Sequence, residues 1–385
     1  MHMEKKAILI KNGYIHTMNK DAEVVEGEVL IQDGKIVSIG KKLDIPEMCQ
    51  VIDAKEGIVM PGIIDAHNHI GIFEWGIGDA GVDGNEDAEP ITPHLRAIDG
   101  IYPLDAEFKH SYENGVTCVA TGPGSGNPIG GQFVAMKTVG KIMDKMILKT
   151  PLAMKAAFGE NPKNVHGGKG RMPGTRMGTA ALIREWLYKA KEYDNKKEKA
   201  FDMRLEALVP VVRGELPLKA HAHRADDIMT ALRIADEFDL QITLDHCSEG
   251  HLIADELAHT RQKGVILGPF LGFPHKNEVI NQGVESAAIL YEAGVKLAIM
   301  TDLPAMHTSN LVVCAGMCHK AGLPLTEAMR AVTSNASEIL GLEDRIGTIE
   351  VGKDADIAIF DKNPIQEITA KCMGTVIDGE IVYLA

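Results

Sequence analysis

PLKAHAHRADDIMTALRIADEFDLQITLDHCS, residues 217–248, is a complete strand–helix–strand pattern. Short apolar runs that end in histidine lie at both ends of this stretch. Between them, apolar side chains recur at helical spacing, at Ile228, Leu232, Ala235 and Phe238. A strand, a helix and a second strand in this order predict a parallel sheet whose strands are connected by helices.

The same alternation continues along the middle of the chain. GVKLAIMTD, residues 294–302, precedes another helical region, and the helical pattern PLTEAMRAVTSNASEILG follows. Strand-then-helix units over roughly 270 residues favour an α/β fold of the (β/α)₈, or TIM barrel, type. An open doubly wound sheet is the alternative, and that fold leads us to expect a glycine-rich dinucleotide fingerprint, which we do not find after an early strand.

Both ends of the chain are rich in predicted strands. Alternating apolar stretches flank Asp33–Gly34 near the start and Asp378–Gly379 near the end, and Asp-Gly between such stretches is a strong hairpin signal. We therefore expect one small β domain assembled from the two termini.

Composition and charge restrict the function classes. The chain has 385 residues, of which 45% are hydrophobic and 24% charged, as in soluble globular enzymes. A net charge of −14 disfavours nucleic acid as a partner. No apolar run approaches a membrane span, and the start lacks the pattern of a signal peptide. The six scattered cysteines are then expected to be reduced thiols, which predicts a cytoplasmic location.

Histidines and one carboxylate recur where apolar runs end. These residues are His67, His69, His221, His223, His246 and Asp302. In a parallel barrel the carboxyl ends of the strands converge on one mouth, where active sites are built. Neutral imidazoles together with a carboxylate suit Zn²⁺, Fe²⁺ or Mn²⁺. The pattern therefore predicts a metal centre at the barrel mouth, whereas any one of these histidines alone would be read as a hydrogen-bonded strand-end residue.

Five segments together resemble the amidohydrolase superfamily of metal-dependent hydrolases. They are PGIIDAHNH, KAHAHRADD, LDHC, IMTDLP and AVTSNASEILGLEDRIGTIEVGKDADIAIFD. Within the superfamily the chain is most similar to the branch of imidazolonepropionase and the metal-dependent prolidases, and the resemblance covers nearly the whole chain. It implies a distorted (β/α)₈ barrel domain, residues 61–343, and a β-sandwich domain formed by residues 1–60 and 344–385.

The resemblance also implies roles for individual residues. His67 and His69 match the ligands on the first barrel strand, and Asp65 on the same face is expected to orient an imidazole from behind. His221 matches the ligand on the fifth strand, which leaves His223 on the substrate side. The opposite assignment, with His223 as the ligand, stays open. His246 matches the sixth-strand ligand, and Asp302 matches the eighth-strand carboxylate that binds metal and accepts the proton of the attacking water.

The bridging ligand on the fourth strand has two candidates in LAMKAAFGENPK. Lys155 would serve as a carboxylated lysine within the strand, and Glu160 would serve as a glutamate at its end. We favour Glu160, because it follows a glycine that lets the backbone turn at the rim. An uncarboxylated Lys155 would be an inward charge that needs a partner.

Loops after the barrel strands carry candidate substrate-binding residues. Arg171 and Arg176 lie in HGGKGRMPGTRMG, and guanidinium groups of this kind hold substrate carboxylates bidentately. His275 lies in LGPFLGFPHKNE near the predicted mouth. A solvated basic loop is the alternative for both arginines.

Four functions follow from the resemblance. The first is hydrolysis of an amide or cyclic amide C–N bond in a small, carboxylate-bearing substrate, with one or two zinc ions, or Fe or Mn. The second is deamination of a heterocycle, for which family members usually use one metal and lack the fourth-strand bridge. The third is hydrolysis of N-acyl amino acids or dipeptides, and the fourth is a metal-free protein on a retired scaffold. The resemblance also predicts a homo-oligomer.

Overall fold

The computed structural model of the protein describes residues 7–272 and 276–385. The strands in these residues are β1 (Ala7–His16), β2 (Val24–Gln32), β3 (Lys35–Gly40), β4 (Cys49–Asp53), β5 (Ile58–Pro61), β6 (Ile63–Asn68), β7 (Val116–Thr121), β8 (Ile129–Lys137), β9 (Ile147–Ala157), β10 (Leu218–Ala222), β11 (Ile242–His246), β12 (Val265–Leu267), β13 (Leu297–Ile299), β14 (Ile357–Phe360), β15 (Cys372–Ile377) and β16 (Glu380–Leu384). The α-helices are α1 (Ala106–Glu113), α2 (Met143–Met146), α3 (Glu160–Gly167), α4 (Arg176–Asn195), α5 (Met203–Val212), α6 (Ala225–Phe238), α7 (Ala254–Ala258), α8 (Ser286–Glu292), α9 (Leu311–Lys320), α10 (Leu325–Arg330) and α11 (Ser334–Leu340). None of the helices in these ranges is long and apolar enough to cross a membrane.

The central sheet contains eight strands, β6 to β13, in chain order. Its strands pair in parallel from β9 to β13 and between β6 and β7, whereas β8 runs antiparallel to both of its neighbours. The predicted all-parallel order is therefore wrong at β8. The physical reason is the connection from β7 to β8, residues 122–128, which is too short for the crossover that a parallel strand needs.

The two edges of this sheet approach each other and nearly close it into a barrel. The backbone N–H of Asp302, just after β13, donates to the carbonyl oxygen of His67 on β6 at 3.2 Å. The N–H of His69 donates in turn to the carbonyl of Leu303 at 3.0 Å. These two hydrogen bonds bring the carboxyl ends of the first and last barrel strands together.

Helix α6 shows how the outer layer covers the barrel. It packs on β10 and β11, and the residues predicted at helical spacing, Ile228, Leu232, Ala235 and Phe238, are buried. Full burial of a side chain as large as Ile228 or Phe238 contributes roughly 1.5–3 kcal/mol to stability. The helix ends at Asp239, whose φ of 58° is in the left-handed region.

Strands from both ends of the chain form a second eight-stranded sheet. Its order is β16–β15–β14–β5–β1–β2–β3, and β4 pairs with β1. Both predicted hairpins form, with positive φ at Asp33, Gly34, Asp378 and Gly379, as two-residue type I′ turns require. The pairing joins these strands into one sheet, and the sandwich arrangement and the domain boundaries stay predictions.

A buried lysine connects the two sheets. Lys137 ends β8, and its Nζ lies 3.3 Å from Asp354 and 2.5 Å from Asp356, which precede β14. All three side chains are almost completely buried. The ion pairs therefore fix the terminal sheet against the barrel in the protein interior.

Candidate metal centre

Two groups of side chains with metal-ligating atoms lie at the carboxyl ends of the barrel strands. One group is His67, His69 and Asp302, and the other is His221, His223 and His246. Within each group the ligating atoms lie within 4.8 Å of one another. The groups are adjacent, because the ring centroid of His246 lies 4.3 Å from that of His221 and 5.6 Å from that of His67. The six residues that the sequence singled out thus meet at one place.

The strands end abruptly at this place. His246 is the last residue of β11 and has a φ of 72°, and Asp302 has a φ of 52°. Left-handed backbone at a residue other than glycine costs roughly 1–2 kcal/mol. Strain of this kind persists where the surrounding structure holds it, and it collects at functional sites.

Close polar contacts on Nδ1 orient three imidazoles. The Nδ1 atoms of His69 and His246 lie 2.7 Å and 3.0 Å from the carbonyl oxygens of Gly122 and Gly268. Nδ1 of His67 lies 2.9 Å from the carboxylate of Asp245. Because carbonyl oxygens only accept, Nδ1 of His69 and of His246 carries a proton, and in the neutral imidazole Nε2 then presents a lone pair. The contact with the Asp245 carboxylate favours the same tautomer of His67.

The Nε2 atoms fit a divalent cation. Within the part of the chain that the structure describes, Nε2 of His221 and Nε2 of His246 are buried without a hydrogen-bond partner. An unsatisfied buried acceptor is costly, and a metal ion removes that cost. The residues present therefore fit the metal that their chemical types predict.

The protonation states of the site also suit a metal. Burial lowers the pKa of His221 and His246 well below the ordinary value, and the neighbouring histidines lower both further. Burial alone would raise the pKa of Asp302, but His246, His67 and His69 together hold it well below its usual range. Neutral imidazoles and an ionised carboxylate are the forms that bind a metal.

Asp245 is a buried residue beside the candidate ligands that the sequence analysis did not single out. Its carboxylate contacts Nδ1 of His67 and also lies 2.9 Å from Nζ of Lys219 and 3.8 Å from Nζ of Lys155. Burial would raise its pKa, but Lys219 and His67 outweigh that effect and lower it. The signal available in the sequence is a carboxylate inside an apolar strand, which has to find a partner.

Asp65 does not have the role expected of it. Its carboxylate accepts hydrogen bonds from the hydroxyl of Thr301 at 2.5 Å, from the side chain of Asn68 at 3.1 Å and from the backbone N–H of His67 at 3.4 Å. These contacts tie β6 to the residues after β13. The imidazole of His67 is oriented by Asp245 instead.

The two candidates for the fourth-strand bridge occupy different environments. Lys155 lies within β9 and is fully buried, and burial lowers its pKa to about 8. Glu160 is the first residue of α3, and its backbone N–H donates to the carboxylate of Glu278 at 2.9 Å. Glu160 belongs to neither group of ligating side chains. The structure therefore does not bring the favoured candidate to the histidines.

The predicted substrate-binding arginines have other contacts. Nε of Arg176 donates to the carboxylate of Asp227 on α6 at 2.9 Å, and Arg171 donates to the carbonyl of Ala88. Neither lines the cavity at the metal centre. Each arginine is held by a residue far away in the chain, Arg176 by Asp227 and Arg171 by Ala88. The local sequence does not predict such contacts. His275 lies outside the described residues.

The cavity at the barrel mouth has a volume of about 490 Å³. Histidines of both groups and Asp302 line it, together with uncharged polar side chains that the sequence did not single out: Asn85, Ser125, Asn161 and Gln282. Lys276 also lines the cavity, but its Nζ is held by Glu278 at 2.6 Å. Glu278 is itself buried, with Oε1 3.9 Å from His221 Nε2 and 3.7 Å from His223 Nε2.

A third group of ligating side chains lies beside this cavity. It consists of Glu107, His110 and His307. Both carboxylate oxygens of Glu107 are already engaged, one by the N–H and hydroxyl of Thr308 at 3.0 Å and the other by Nδ1 of His307 at 2.8 Å. We read this group as a connection that holds the loop after β13 to α1.

Comparison with known proteins agrees with this geometry. A model described as the amidohydrolase family matches residues 212–382. The chain is 30% identical over 373 residues to amidohydrolase tasK of Hapsidospora irregularis, which covers 88% of the chain but only 38% of that protein. It is 26% identical over 375 residues to imidazolonepropionase of Fusobacterium nucleatum, covering 88% of the chain and 86% of that protein.

A solved structure is also closely similar. The crystal structure of an amidohydrolase from Thermotoga maritima MSB8 shares 37% sequence identity with the chain. The two superpose with a TM-score of 0.94, and the match covers 98% of the chain and 100% of that structure.

Proposed function

The chain belongs to the amidohydrolase family, and on that premise we propose that it hydrolyses a C–N bond, in an amide or cyclic amide of a small molecule, at a divalent metal centre. The observation that carries the proposal is the meeting of two groups of ligating side chains at the barrel mouth. The proposed reaction involves neither nucleic acid nor a membrane. Because the chain spans 38% of the length of the tasK relative, that protein's full activity is not transferred to it.

We assign the ligands by the chemistry of their free atoms. His67, His69, His221, His246 and Asp302 hold the metal, with their Nε2 atoms and carboxylate as donors. His223, whose Nδ1 lies 2.8 Å from the hydroxyl of Ser248, faces the substrate. The metal, when bound, lowers the pKa of a water molecule and polarises the substrate carbonyl.

Asp302 moves the proton in the proposed reaction. Its side chain keeps 22% of its surface exposed, whereas His67 beside it is fully buried, so Asp302 is the carboxylate that reaches the cavity. Its lowered pKa keeps it ionised and able to take a proton from the attacking water. It then delivers that proton to the leaving nitrogen.

For the bridge we now propose Lys155 in place of Glu160. Lys155 is buried between Asp245 and the ring of Phe133, where a permanent positive charge is expensive. A pKa of about 8 leaves about a tenth of the amine neutral at pH 7, and a neutral amine adds carbon dioxide and loses a proton to form a carbamate. Carboxylation would replace the buried cation with a group able to bind metal.

Two measurements test the proposal. Metal analysis of gently purified protein should find bound transition metal, with zinc the metal we expect ahead of Fe or Mn. Hydrolysis of a panel of cyclic amides, N-acyl amino acids and dipeptides should release an amine and a carboxylate. Protein without bound metal that neither Zn²⁺ nor Mn²⁺ activates would contradict the proposal.

Deamination of a heterocycle is the second candidate, on one specific observation. Glu160, the carboxylate candidate for a bridge, joins neither ligand group, and a centre with one metal needs no bridge. Ammonia release in the same panel, with heterocyclic amines included, separates deamination from amide hydrolysis.

We further propose the setting in which the enzyme works. All six cysteines are unpaired, which supports a reducing compartment such as the cytoplasm. Residues 1–60 and 344–385 form a β-sandwich domain beside the barrel of residues 61–343, and the enzyme is a homo-oligomer. Gel filtration with light scattering tests the last point.

A further inference from the structure

A second cavity adjoins the one at the metal centre. It has a volume of about 410 Å³, and the two cavities share Phe73, Pro304 and Ala305 as a common wall. Apart from Glu107 on α1, the rest of its lining comes from the segment after β6 and the loop after β13, the two elements that flank His69 and Asp302. The shared residues place the second cavity directly beside the metal centre.

The second cavity has a rigid aromatic side. The ring centroids of Trp75 and His307 lie 4.8 Å apart. His307 is held by Glu107 at 2.8 Å, and Glu107 is buried and held by Thr308. The His307 ring is therefore held in place before any ligand arrives, which reduces the entropy lost on binding.

The charge of the lining decides which ligands fit. Its charged or titratable side chains among the described residues are Glu74, Glu107 and His307, and no lysine or arginine is among them. An anionic group would meet no countercharge here, whereas a cation would gain from the Trp75 ring and the carboxylates. Trp75 and Val82 are about half exposed, so an apolar ligand has surface to cover.

We propose that this second cavity is a substrate subsite for an aromatic or bulky apolar group that is neutral or positively charged. The inference rests on the proposed function, since the subsite would bind one part of the substrate while the C–N bond lies at the metal centre. The substrate is thus a two-part molecule with a polar amide end and an apolar end.

Binding can be tested without turnover. The chain has two tryptophans, so Trp186→Phe leaves Trp75 as the only one and its fluorescence reports on the second cavity. Benzylamine and benzyl alcohol should change this fluorescence saturably, with a Kd on the order of 1 mM for ligands of this size. Phenylacetate should bind at least about tenfold more weakly, which is about 1.4 kcal/mol.

A matched pair of variants locates the binding. Val82→Phe in the Trp186→Phe background fills the cavity and should weaken binding of benzylamine by about tenfold or more. Val351→Phe, at an exposed position outside both cavities, should leave it unchanged. Equal binding of all three probes, or no effect of Val82→Phe, would overturn the inference.

Turnover then separates the inference from the proposed function. For pairs of amides that differ only in a methyl or a benzyl group, Trp75→Ala should lower the benzyl-to-methyl ratio of kcat/KM by about tenfold. An unchanged ratio with active enzyme overturns the subsite and leaves the proposed function standing. Saturable fluorescence without hydrolysis of any pair supports the cavity as a binding site and contradicts the proposed function.

Discussion

The carboxylate of Asp245 lies 2.9 Å from Nδ1 of His67, and both side chains are fully buried. Asp245 also holds Lys219 at 2.9 Å. One carboxylate therefore orients a proposed metal ligand and balances a buried charge. Metal affinity and fold stability are coupled at this residue.

Asp245→Asn tests that coupling. The amide keeps the shape but loses the charge, so it orients the His67 ring less firmly and leaves Lys219 without its countercharge. We expect metal affinity to fall by about 10- to 100-fold and stability by about 3–5 kcal/mol. Competitive chelator titration and urea unfolding measure the two effects.

Asp65→Asn is the matched control for this experiment. Asp65 is equally buried, but its hydrogen bonds run to Thr301, Asn68 and the backbone of His67. This variant should lose stability while its metal affinity changes by less than about threefold. An equal loss of affinity in both variants would show that Asp245 has no special role in orienting His67.

Lys155→Gln and Glu160→Gln identify the bridge. If Lys155 supplies it, Lys155→Gln should lower bound metal and lower activity by about 100-fold, because a neutral amide cannot form a carbamate. Glu160→Gln should then stay within about threefold of the wild type. The opposite ranking would restore Glu160, and urea unfolding of both variants excludes a general loss of fold.

Lys137 and Lys35 form a natural pair for measuring a buried ion pair. Both bind Asp354, but Lys137 is buried whereas 48% of the Lys35 side chain is exposed. Lys137→Met should cost about 3–5 kcal/mol, since it leaves Asp356 buried without its lysine, whereas Asp354 keeps Lys35 and Arg345. Lys35→Met should cost less than about 1 kcal/mol. Similar urea midpoints for the two variants would contradict this difference.

The cost of Lys137→Met should depend on pH. Burial alone would raise the pKa of Asp354, but Lys35, Lys137 and Arg345 lower it, so its favourable contribution exists above the unfolded value of 3.8 and is lost as pH falls through the folded value. The pKa of Asp356 is raised, chiefly by burial, so this carboxylate takes up its proton earlier as the solution is acidified.

The stability difference between wild type and Lys137→Met should therefore be largest near neutral pH, begin to shrink above about pH 4 as Asp356 takes up its proton, and shrink further below about pH 4 as Asp354 does. Urea unfolding at several pH values measures it. A difference that stayed constant from pH 7 to pH 3 would mean that Lys137 acts through packing and not through charge.

Local patterns in the sequence predict much of this site. His67 and His69 lie two residues apart at the end of an apolar run, and His221 and His246 repeat that placement in the stretch that defines the barrel. Strand ends converge in this fold, so the positions alone bring the side chains together.

Long-range partners set the limit of prediction. The contact between Arg176 and Asp227, and the one between Glu107 and His307, join residues far apart in the chain, and no local pattern reports them. Asp245 directly precedes His246 in β11, and the pattern that marks this histidine as a candidate ligand does not report the contact between Asp245 and His67. The antiparallel direction of β8 depends on loop length and turn geometry. The apolar periodicity of a strand does not report its direction.

The terminal sheet constrains how the chain is made. β5 is flanked by β1 and by β14, so residues 62–356 must be synthesised before β5 gains its second neighbour. At 5–20 residues per second, this leaves an open strand edge for roughly 15–60 s. A ribosome that stops early releases a chain with that edge still open, and open edges recruit other chains. The last thirty or so residues thus close the exposed edge of β5, although no proposed ligand lies among them.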